Sequence, residues 1–500
     1  MPTTLDLERE REIQNTAGLK WYQGLDRYCW VVLIVAALGW LFDTMDQNIY
    51  NLVRVPSLRE MLHPKRDEIK SMNAEQRKAL EATLTQAEKK KLDADVKSKG
   101  GIVTGIFLIG WSVGGFIFGI LGDRLGRTRT MIFTILIYAA FTGLSGLVSD
   151  WRVYSFMRFM TALGVGGEWA AGAALVAEVF PSRSRPMALG LLQALSAVGN
   201  MLAAVVTFSI GSMATNWRWA YFVGAAPALL VLWIRSSVRE PEKWKAAKEN
   251  ATAGQEMGNI LHLFTHPVLR RNTIAAVLMA TAGVIGVWGV GFFSTDVLRE
   301  ELGRIQWPEK KISDAVSIMF FCQQVGAFFG IYLFAVFAER FNRREAFFFW
   351  FALAWAAVMC FFWGVTGAGS QAFTRAVVLA PLMGFGTLGP FSGYTVYFPE
   401  LFPTRLRATG CGFCYNAARI LAAGGPVALG ALGAHFAVYG ADGTLLRGGY
   451  APAASIVACI FMLGTVGTLI APETKGRPLP EDKDFETPLA RPVVATAEPE

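Results

Sequence analysis

Apolar residues are gathered into long runs along this 500-residue chain. An α-helix needs about 20 residues to cross the roughly 30 Å hydrocarbon core of a membrane, and twelve runs reach that length. Membrane β-strands are only about 10 residues long and alternate in polarity. The pattern therefore predicts an all-α integral membrane protein with twelve transmembrane helices. The predicted spans are 28–50, 101–121, 130–149, 153–179, 187–211, 217–236, 273–298, 313–338, 345–366, 374–401, 406–438 and 449–471.

Composition agrees with this prediction. Hydrophobic residues make up 53% of the chain and charged residues 17%, against about 25% charged residues in typical soluble proteins. A soluble core could not bury so much apolar surface and still present a polar exterior. These values exclude a cytosolic multidomain enzyme, a disordered protein and a disulfide scaffold. The net charge of +8 comes without a basic stripe interleaved with aromatic residues, so no nucleic-acid partner is expected.

Positive residues lie in alternate loops, which predicts the orientation. Arg124 and Arg127 follow the second span, and Arg183 and Arg185 follow the fourth. By the positive-inside rule these loops face the cytoplasm, so both termini are predicted to be cytoplasmic in an inner or plasma membrane. The long loop at 51–100 is then external, although it holds twelve Lys and Arg residues beside eight acids.

This external loop carries two helix-start signals. Asn73 with Gln76, and Thr85 with Glu88, have the spacing of a capping box. We expect a short helical hairpin over the outer mouth. A role in screening substrate and a simple solvated decoration are both open interpretations.

Two segments of the chain repeat in the same order. Residues 178–185 recur as 400–407 with five of eight positions identical, and 118–127 are answered by 334–343. The repeat predicts two pseudo-symmetric halves of six helices, which is an architecture of secondary transporters. The predicted organisation is a cytoplasmic segment 1–27, an N-terminal half 28–237, a cytoplasmic linker 238–271, a C-terminal half 272–473 and a disordered cytoplasmic tail 474–500.

One loop motif points to a family. Gly122-Asp123-Arg124-Leu125-Gly126-Arg127 resembles the signature of the major facilitator superfamily. Gly166-Gly167-Glu168-Trp169, the repeated Glu-x-Phe-Pro-x-Arg-x-Arg segments and Pro472-Glu473-Thr474-Lys475-Gly476 resemble the metabolite–proton symporter and sugar porter branches. The second copy of the signature departs from the pattern, with Glu339 in place of Asp and Asn342 in place of Gly. The resemblance implies the major facilitator fold and transport by alternating access.

The resemblance also implies that the charged loops act as latches that hold one conformation closed. From its position, Asp123 is expected to pair with Arg127 or to face the N-terminus of a neighbouring helix. A plain turn that only obeys the charge rule is the alternative. The predicted gating residues are Asp123, Arg124, Arg127, Glu178, Arg183, Arg185, Glu339, Arg340, Arg343, Glu400, Arg405 and Arg407.

Asp43, Asp46, Arg158 and Glu168 lie inside the N-terminal spans, where a charge costs at least about 2.5–3.5 kcal/mol. A rise of 1.5 Å per residue puts Asp43 and Arg158 at the same depth, so an aspartate–Arg158 pair is predicted. Protonation of that aspartate would release Arg158, which is one design for proton coupling. A static ion pair is the alternative. Glu168 is predicted either to carry protons onward or to bond to a neighbouring helix.

Arg419 lies near the middle of the eleventh span, with Asn416 on the same helix face. A guanidinium at this depth suits bidentate recognition of a carboxylate. The segment 419–426 also resembles the eleventh span of aromatic-acid and other organic-anion symporters. Pairing with a carboxylate in the C-terminal half is the alternative. The predicted substrate-binding residues are Arg419, Asn416, Gln323, Gln324, Tyr394 and Asn200.

The sequence therefore predicts a secondary active transporter, with proton symport of a small organic acid as the preferred function. A neutral solute such as a sugar and a transporter-like membrane sensor are the alternatives, and the direction of transport is open. The expected partners are a small-molecule substrate, protons and the lipid bilayer, with a monomer as the functional unit. Neither a catalytic constellation nor a phosphate loop is evident, so no enzyme activity, cofactor or metal is expected. Cys411 and Cys414 are interpreted as packing residues.

Overall fold

The fold is known from a computed structural model. It describes residues 20–69, 72, 74–209, 213–249, 257–422, 429, 432–433, 435–436, 438–439, 445–447 and 449–485. Within these residues, eleven helices are long and apolar enough to cross a membrane. The prediction of an all-α membrane fold is confirmed, with one small antiparallel ribbon, β1 (Val438–Tyr439) and β2 (Leu445–Arg447), in addition.

The N-terminal half begins where the Asp26 side chain accepts a hydrogen bond from the backbone N–H of Cys29 and so caps the first helix. The sixth predicted span is interrupted at Pro227, which has no N–H to continue an α-helix, by a 3-10 turn (Ala226–Leu229). The helices of this half are α1 (Arg27–Leu62), α2 (Arg66–Ile69), α3 (Ala74–Thr83), α4 (Gln86–Leu125), α5 (Arg127–Ser145), α6 (Trp151–Val179), α7 (Arg185–Ser209), α8 (Met213–Gly224) and α9 (Leu230–Ser237).

The linker and the C-terminal half follow. The seventh span leaves α-helical geometry in a π-turn (Gly286–Val290), and the eleventh predicted span, 406–438, is described as a helix up to Ala422. The elements are α10 (Glu242–Glu249), α11 (His262–Thr265), α12 (Pro267–Ile285), α13 (Ser294–Arg304), α14 (Glu309–Arg340), α15 (Arg343–Val365), α16 (Ala372–Leu401), α17 (Arg407–Ala422), α18 (Tyr450–Ala458) and α19 (Ile460–Ile470).

The long loop after the first span is helical over most of its described length. Helices α1 and α4 continue beyond membrane length, and α2 and α3 lie between them. The backbone N–H of Thr85 donates to the Glu88 carboxylate and the backbone N–H of Glu88 donates to Thr85 Oγ1, so α4 starts in a capping box. The other predicted helix start, Asn73, lies outside the described residues.

Equivalent helices in the two halves pack through glycine. In the N-terminal half a Cβ on Gly114 would lie 2.0 Å from the carbonyl oxygen of Leu163, so α4 and α6 touch backbone to backbone. In the C-terminal half a Cβ on Gly384 would lie 2.0 Å from the carbonyl oxygen of Gln323, which brings α14 and α16 equally close. Small residues permit this close helix approach inside a membrane.

Candidate functional site

The two loop repeats build the same arginine–glutamate pair in each half. Arg127 donates from Nε and Nη2 to Glu178 at 3.2 and 3.0 Å, and Arg343 donates from Nε and Nη2 to Glu400, both at 3.2 Å. Each arginine also donates from Nη1 to the carbonyl of the residue five positions before it. The bidentate geometry is the strong form of an ion pair, and all four side chains are buried.

The halves are joined at this side of the molecule by a further arginine. Arg407 of the C-terminal half donates from Nη1 to Glu178 Oε1 at 2.7 Å. In the other direction, Arg127 of the N-terminal half donates from Nη2 to the carbonyl oxygen of Thr404 in the C-terminal half at 2.7 Å. The repeat is not symmetric here, because Arg185, the counterpart of Arg407, donates to the carbonyl oxygens of Ala177 and Phe180 in its own half.

Asp123 makes both of the contacts that its position predicts. Its Oδ1 lies 3.0 Å from Arg127 Nη1. Its carboxylate also accepts hydrogen bonds from the backbone N–H groups of Ala408 and Thr409 at 3.1 and 2.8 Å, and from Thr409 Oγ1 at 2.6 Å. The acid therefore sits at the N-terminus of α17 in the other half, where the helix dipole favours a negative charge. Its counterpart Glu339 makes the equivalent pair with Arg343 at 3.3 Å.

Two further glutamates contact the charged layer that Asp123, Arg127, Glu178 and Arg407 form with their counterparts in the second half. They come from the segments that follow each half, and they are not among the predicted gating residues. The Glu240 carboxylate accepts from the backbone N–H groups of Thr128 and Arg129 at the start of α5. Glu473 accepts from those of Arg343 and Arg344 at the start of α15. Both glutamates stand a few residues after the last span of a half. This shared position could have identified them from the sequence.

The remaining predicted gating residues hold the linker and the tail against this layer. Arg124 donates to the carbonyl of Met257, Arg183 to that of Gln23, and the carbonyl of Arg340 accepts from Lys475. Arg405 pairs with Asp482 and contacts Nδ1 of His262 at 2.7 Å. The sequence predicts a disordered tail from residue 474. Within the described part of that tail, the Asp482 carboxylate pairs with Arg405 and the carbonyl of Pro480 accepts from Arg407; 486–500 lie outside the described residues.

The four ionisable residues of the N-terminal spans separate into two groups. Arg158 pairs with Asp46, with 3.6 Å between Nη1 and Oδ2, and it also donates to Ser145 Oγ at 2.7 Å. Asp43 faces Glu168. Of the two acids of α1, Asp46 therefore forms the predicted pair with Arg158, and Asp43 does not. All four side chains are buried, each 1% exposed or less.

Arg419 lies between two aromatic rings. Its guanidinium carbon is 3.9 Å from the ring centroid of Trp111 on α4 and 4.1 Å from that of Tyr415 on its own helix. Nη1 donates to Asn416 Oδ1 at 2.6 Å, while Nε is buried and meets no acceptor among the described residues. No carboxylate among the described residues bonds to Arg419.

The other predicted substrate-binding residues are engaged elsewhere. Asn200 donates to Gln324 Oε1 at 3.0 Å and so bridges the halves, and it accepts from Asn48 at 2.6 Å. Gln323 accepts from Ser294 Oγ, and the Tyr394 hydroxyl donates to the carbonyl of Met279 at 2.6 Å. Of the six predicted residues, only Asn416 bonds to Arg419 among the described contacts.

Sequence reasoning missed the rings that cover Arg419. Trp111 lies about 300 positions away on the other half, so no local spacing connects the two residues. Tyr415 is four positions before Arg419, which is the helix spacing at which side chains meet, and this signal could have found it. Trp288 packs edge-on against Trp111 with ring centroids 6.4 Å apart.

A second charged cluster is centred on Glu60, where α1 continues beyond the first membrane span, which ends at Tyr50. Glu60 accepts from Arg77 at 2.6 Å, from Trp217 at 3.0 Å and from Arg218 at 2.5 Å. Burial tends to raise the pKa of Glu60, but these three hydrogen bonds outweigh it and hold the pKa below its ordinary value. The cluster fastens α3 of the 51–100 loop to α8.

Comparison with known proteins places this geometry in a family. A sequence profile of the Major Facilitator Superfamily matches residues 83–304. The probable 4-methylmuconolactone transporter of Cupriavidus pinatubonensis is 30% identical over 383 residues, which cover 76% of this chain and 83% of that protein. The chain belongs to the major facilitator superfamily.

Other relatives agree with membership of the major facilitator superfamily. The cis,cis-muconate transport protein of Acinetobacter baylyi is 27% identical over 371 residues, covering 69% of this chain and 82% of that protein. The solved proton:xylose symporter XylE bound to 6-bromo-6-deoxy-D-glucose is 16% identical with a TM-score of 0.68, covering 90% of this chain and 98% of that one. The human organic anion transporter MFSD10 has a TM-score of 0.64 at 14% identity, with 89% and 100% coverage.

Family membership confirms several predictions. This member of the superfamily is a multi-pass membrane transporter of a small molecule and is not an enzyme. At the identity found, the solved structures show its fold.

Proposed function

We propose that this major facilitator carries a small organic carboxylate across the membrane together with protons, by alternating access. The observation that carries the proposal is Arg419, a buried guanidinium with no carboxylate partner among the described residues. A buried charge without a counter-ion is costly. An anionic substrate would supply the missing counter-charge while it is bound.

The residues around Arg419 limit which of its N–H groups an anion can reach. The ring centroids of Trp111 and Tyr415 lie 3.9 and 4.1 Å from the guanidinium carbon, and Nη1 donates to Asn416. Nε has no acceptor among the described residues, and a guanidinium binds a carboxylate through its N–H groups. The Acinetobacter baylyi relative is named for cis,cis-muconate, an organic anion, and this agrees with the proposed charge of the substrate.

Proton coupling is supported by the balance of buried charge in the N-terminal half. Three carboxyl groups, Asp43, Asp46 and Glu168, are buried there beside one described cation, Arg158. When buried acids outnumber the cations beside them, the acids that lack a cation favour binding protons. We propose these four residues as the coupling residues.

Alternating access is supported by the layer of ion pairs at one side. We propose that this layer is a cytoplasmic gate, that it is closed in this conformation, and that both termini lie in the cytoplasm. The arginine-rich loops favour this orientation by the positive-inside rule. The Asp123, Arg127, Glu178 and Arg407 side chains are the contacts between the halves that must break when the gate opens.

Counterflow in proteoliposomes tests the function. Vesicles preloaded with unlabelled cis,cis-muconate, benzoate or xylose are diluted into the labelled compound, with and without an inward proton gradient. We expect exchange of a carboxylate and its accumulation with the gradient. Exchange of xylose alone, indifferent to the gradient, would overturn the proposal in favour of a neutral solute.

The site itself is tested in the same vesicles. Arg375 is an exposed arginine that bonds to Gln371 at the start of α16 and serves as the matched control. Arg419→Lys should weaken the carboxylate selectively, whereas Arg375→Lys should leave exchange unchanged. Equal behaviour of the two variants would assign Arg419 a purely structural role.

A further inference from the structure

Two carboxyl groups meet inside the N-terminal half without a cation between them. Asp43 on α1 and Glu168 on α6 are neighbouring carboxyl groups, and each is 1% exposed. Glu168 Oε1 fills a notch left by Gly39, because a Cβ there would lie 1.9 Å from that oxygen. None of the four carboxyl oxygens receives a hydrogen bond from a donor group of the described chain. One shared proton would supply the donor that two carboxyl groups placed in this way lack.

The groups around this pair leave the proton as its counter-ion. The titratable and charged groups that face it are Asp46 of the same helix and Tyr138 of α5, with Arg158 beyond Asp46. Arg158 is already engaged by Asp46. The pair is therefore a second acidic site, distinct from the aspartate–arginine pair, and all the groups around it belong to the N-terminal half.

The residue after Glu168 faces the opposite way. The Trp169 ring lies against Tyr415 of the C-terminal half, with ring centroids 4.4 Å apart and planes inclined by 31°. Its Nε1 donates to Gln193 Oε1 at 3.1 Å, and the same oxygen accepts from Thr395 Oγ1 of the C-terminal half at 3.0 Å. Tyr415 in turn covers one side of the Arg419 guanidinium.

The same turn of α6 also contacts Trp111, the second ring beside Arg419. A Cβ on Gly166 would lie 2.1 Å from the carbonyl oxygen of Trp111, so this turn is pressed against the residue that covers the second side of Arg419. One helical turn, 166–169, thus touches both aromatic covers of Arg419 and carries one member of the carboxyl pair. A closely packed turn transmits a displacement instead of absorbing it.

We propose that Trp169 links occupancy of Arg419 to the proton shared by Asp43 and Glu168, so that anion binding and proton binding favour each other. The proposal rests on the proposed function, since it requires a carboxylate at Arg419. An anion that draws the guanidinium toward itself shifts Tyr415, and Trp169 moves with it. The movement changes how Glu168 sits in the Gly39 notch against Asp43. Trp169 is a positioning residue in this scheme, and reciprocity between the two ligands follows from linkage.

The test counts protons. Binding of cis,cis-muconate and of benzoate to the purified full-length protein is measured by calorimetry in buffers of different ionisation enthalpy, which gives the protons taken up per bound anion. For the wild type we expect an uptake approaching about one proton per anion. Glu168→Gln should abolish the uptake, and Gly39→Ala, which crowds Glu168 Oε1, should reduce it.

The decisive variant is Trp169→Leu. We expect it to bind the anion but to lose more than about half of the linked proton uptake, whereas Trp169→Phe, which keeps a ring against Tyr415, should retain most of it. Trp355→Leu is the control, because Trp355 is an exposed residue of α15. Elution as a monodisperse peak and an unchanged melting temperature show that a variant is folded.

The outcomes separate the two proposals. If the wild type binds neither anion nor any other carboxylate active in counterflow, the proposed function fails. If the wild type binds with proton uptake but Trp169→Leu takes up as many protons as the wild type, the link through Trp169 is wrong. If Glu168→Gln keeps the wild-type uptake, the carboxyl pair is not the proton site.

Discussion

Arg407 lies 2.7 Å from Glu178, and this contact ties the C-terminal half to the N-terminal half. Glu178 also receives two hydrogen bonds from Arg127, so one buried acid is shared by two buried arginines, of which Arg127 pairs with Asp123 as well. Loss of the shared acid is costly, because each of the two cations then loses a partner.

Glu178→Gln should therefore open this layer. Breaking one side of a buried ion pair costs about 3–5 kcal/mol, and the closed conformation carries that cost. The readout is maleimide labelling of the buried Cys411, in a background from which the other cysteines have been removed. We expect faster labelling and slower transport.

The control for this experiment is Glu242→Gln. Glu242 is an exposed acid that pairs with Lys245 within the linker. Equal labelling rates in the two variants would contradict the role of Glu178 as the shared anion of the gate.

Asp482→Asn should have a much smaller effect on the same labelling rate. The Asp482 side chain is 22% exposed in its pair with Arg405, and partly exposed pairs contribute about 1 kcal/mol or less. We expect the labelling rate to change less than about tenfold. A change as large as that of Glu178→Gln would make the tail a principal part of the gate.

Arg419→Lys keeps the charge and removes the planar fork. A hydrogen bond to a charged group contributes about 1.5–3 kcal/mol, so the affinity for a carboxylate should fall about tenfold to a hundredfold. The measurement is the half-saturation concentration for carboxylate exchange in proteoliposomes. Unchanged half-saturation would show that the substrate does not contact this guanidinium.

The two acids of α1 should respond differently to neutralisation. Asp46→Asn leaves Arg158 without its described anion, so the melting temperature should fall by an amount that corresponds to about 3–5 kcal/mol. Asp43→Asn replaces one carboxyl group of the pair with an amide that can donate to Glu168 in place of the shared proton, so the protein should melt near the wild-type temperature. Accumulation of substrate should nevertheless be lost in Asp43→Asn. Equal losses of stability in both variants would contradict the separation of the acids into two sites.

The cluster around Glu60 predicts a dependence of stability on pH. The pKa of Glu60 in the folded protein is below its ordinary value, so its contribution is present above about pH 4.3, the ordinary pKa of glutamate. It is lost as the pH falls through the folded value. Melting temperatures of the wild type and of Glu60→Gln should therefore differ most near neutral pH and converge in acid. A difference that grows in acid would contradict this assignment.

Local patterns were enough to predict much of this molecule. The spans, the alternation of basic loops and the two repeated segments all depend on residues close together in the sequence. The repeat of the two loop motifs was predicted, and in the structure their copies form the same contact, Arg127 with Glu178 and Arg343 with Glu400. The choice of Arg419 as a buried arginine needed only its depth in a span.

Partners across helices could not be predicted in this way. Asp43 and Asp46 are three positions apart, which on a helix of 3.6 residues per turn leaves their side chains about 60° apart. That angle sends one acid to Glu168 and the other to Arg158, and only the rotation of α1 among its neighbours decides which. Trp111 over Arg419 is a contact between halves, for which no local signal exists.

The sequence by itself determined the kind of protein, since hydrophobic length, loop charge and repetition are properties of the chain that hold in any packing of its helices. The tertiary structure alone decided which buried charges have partners. Arg419 lies against the rings of Trp111 and Tyr415, and Asp43 lies against Glu168. Helix rotation and the docking of the two halves decide these contacts, because they set the distances between residues that are far apart in sequence.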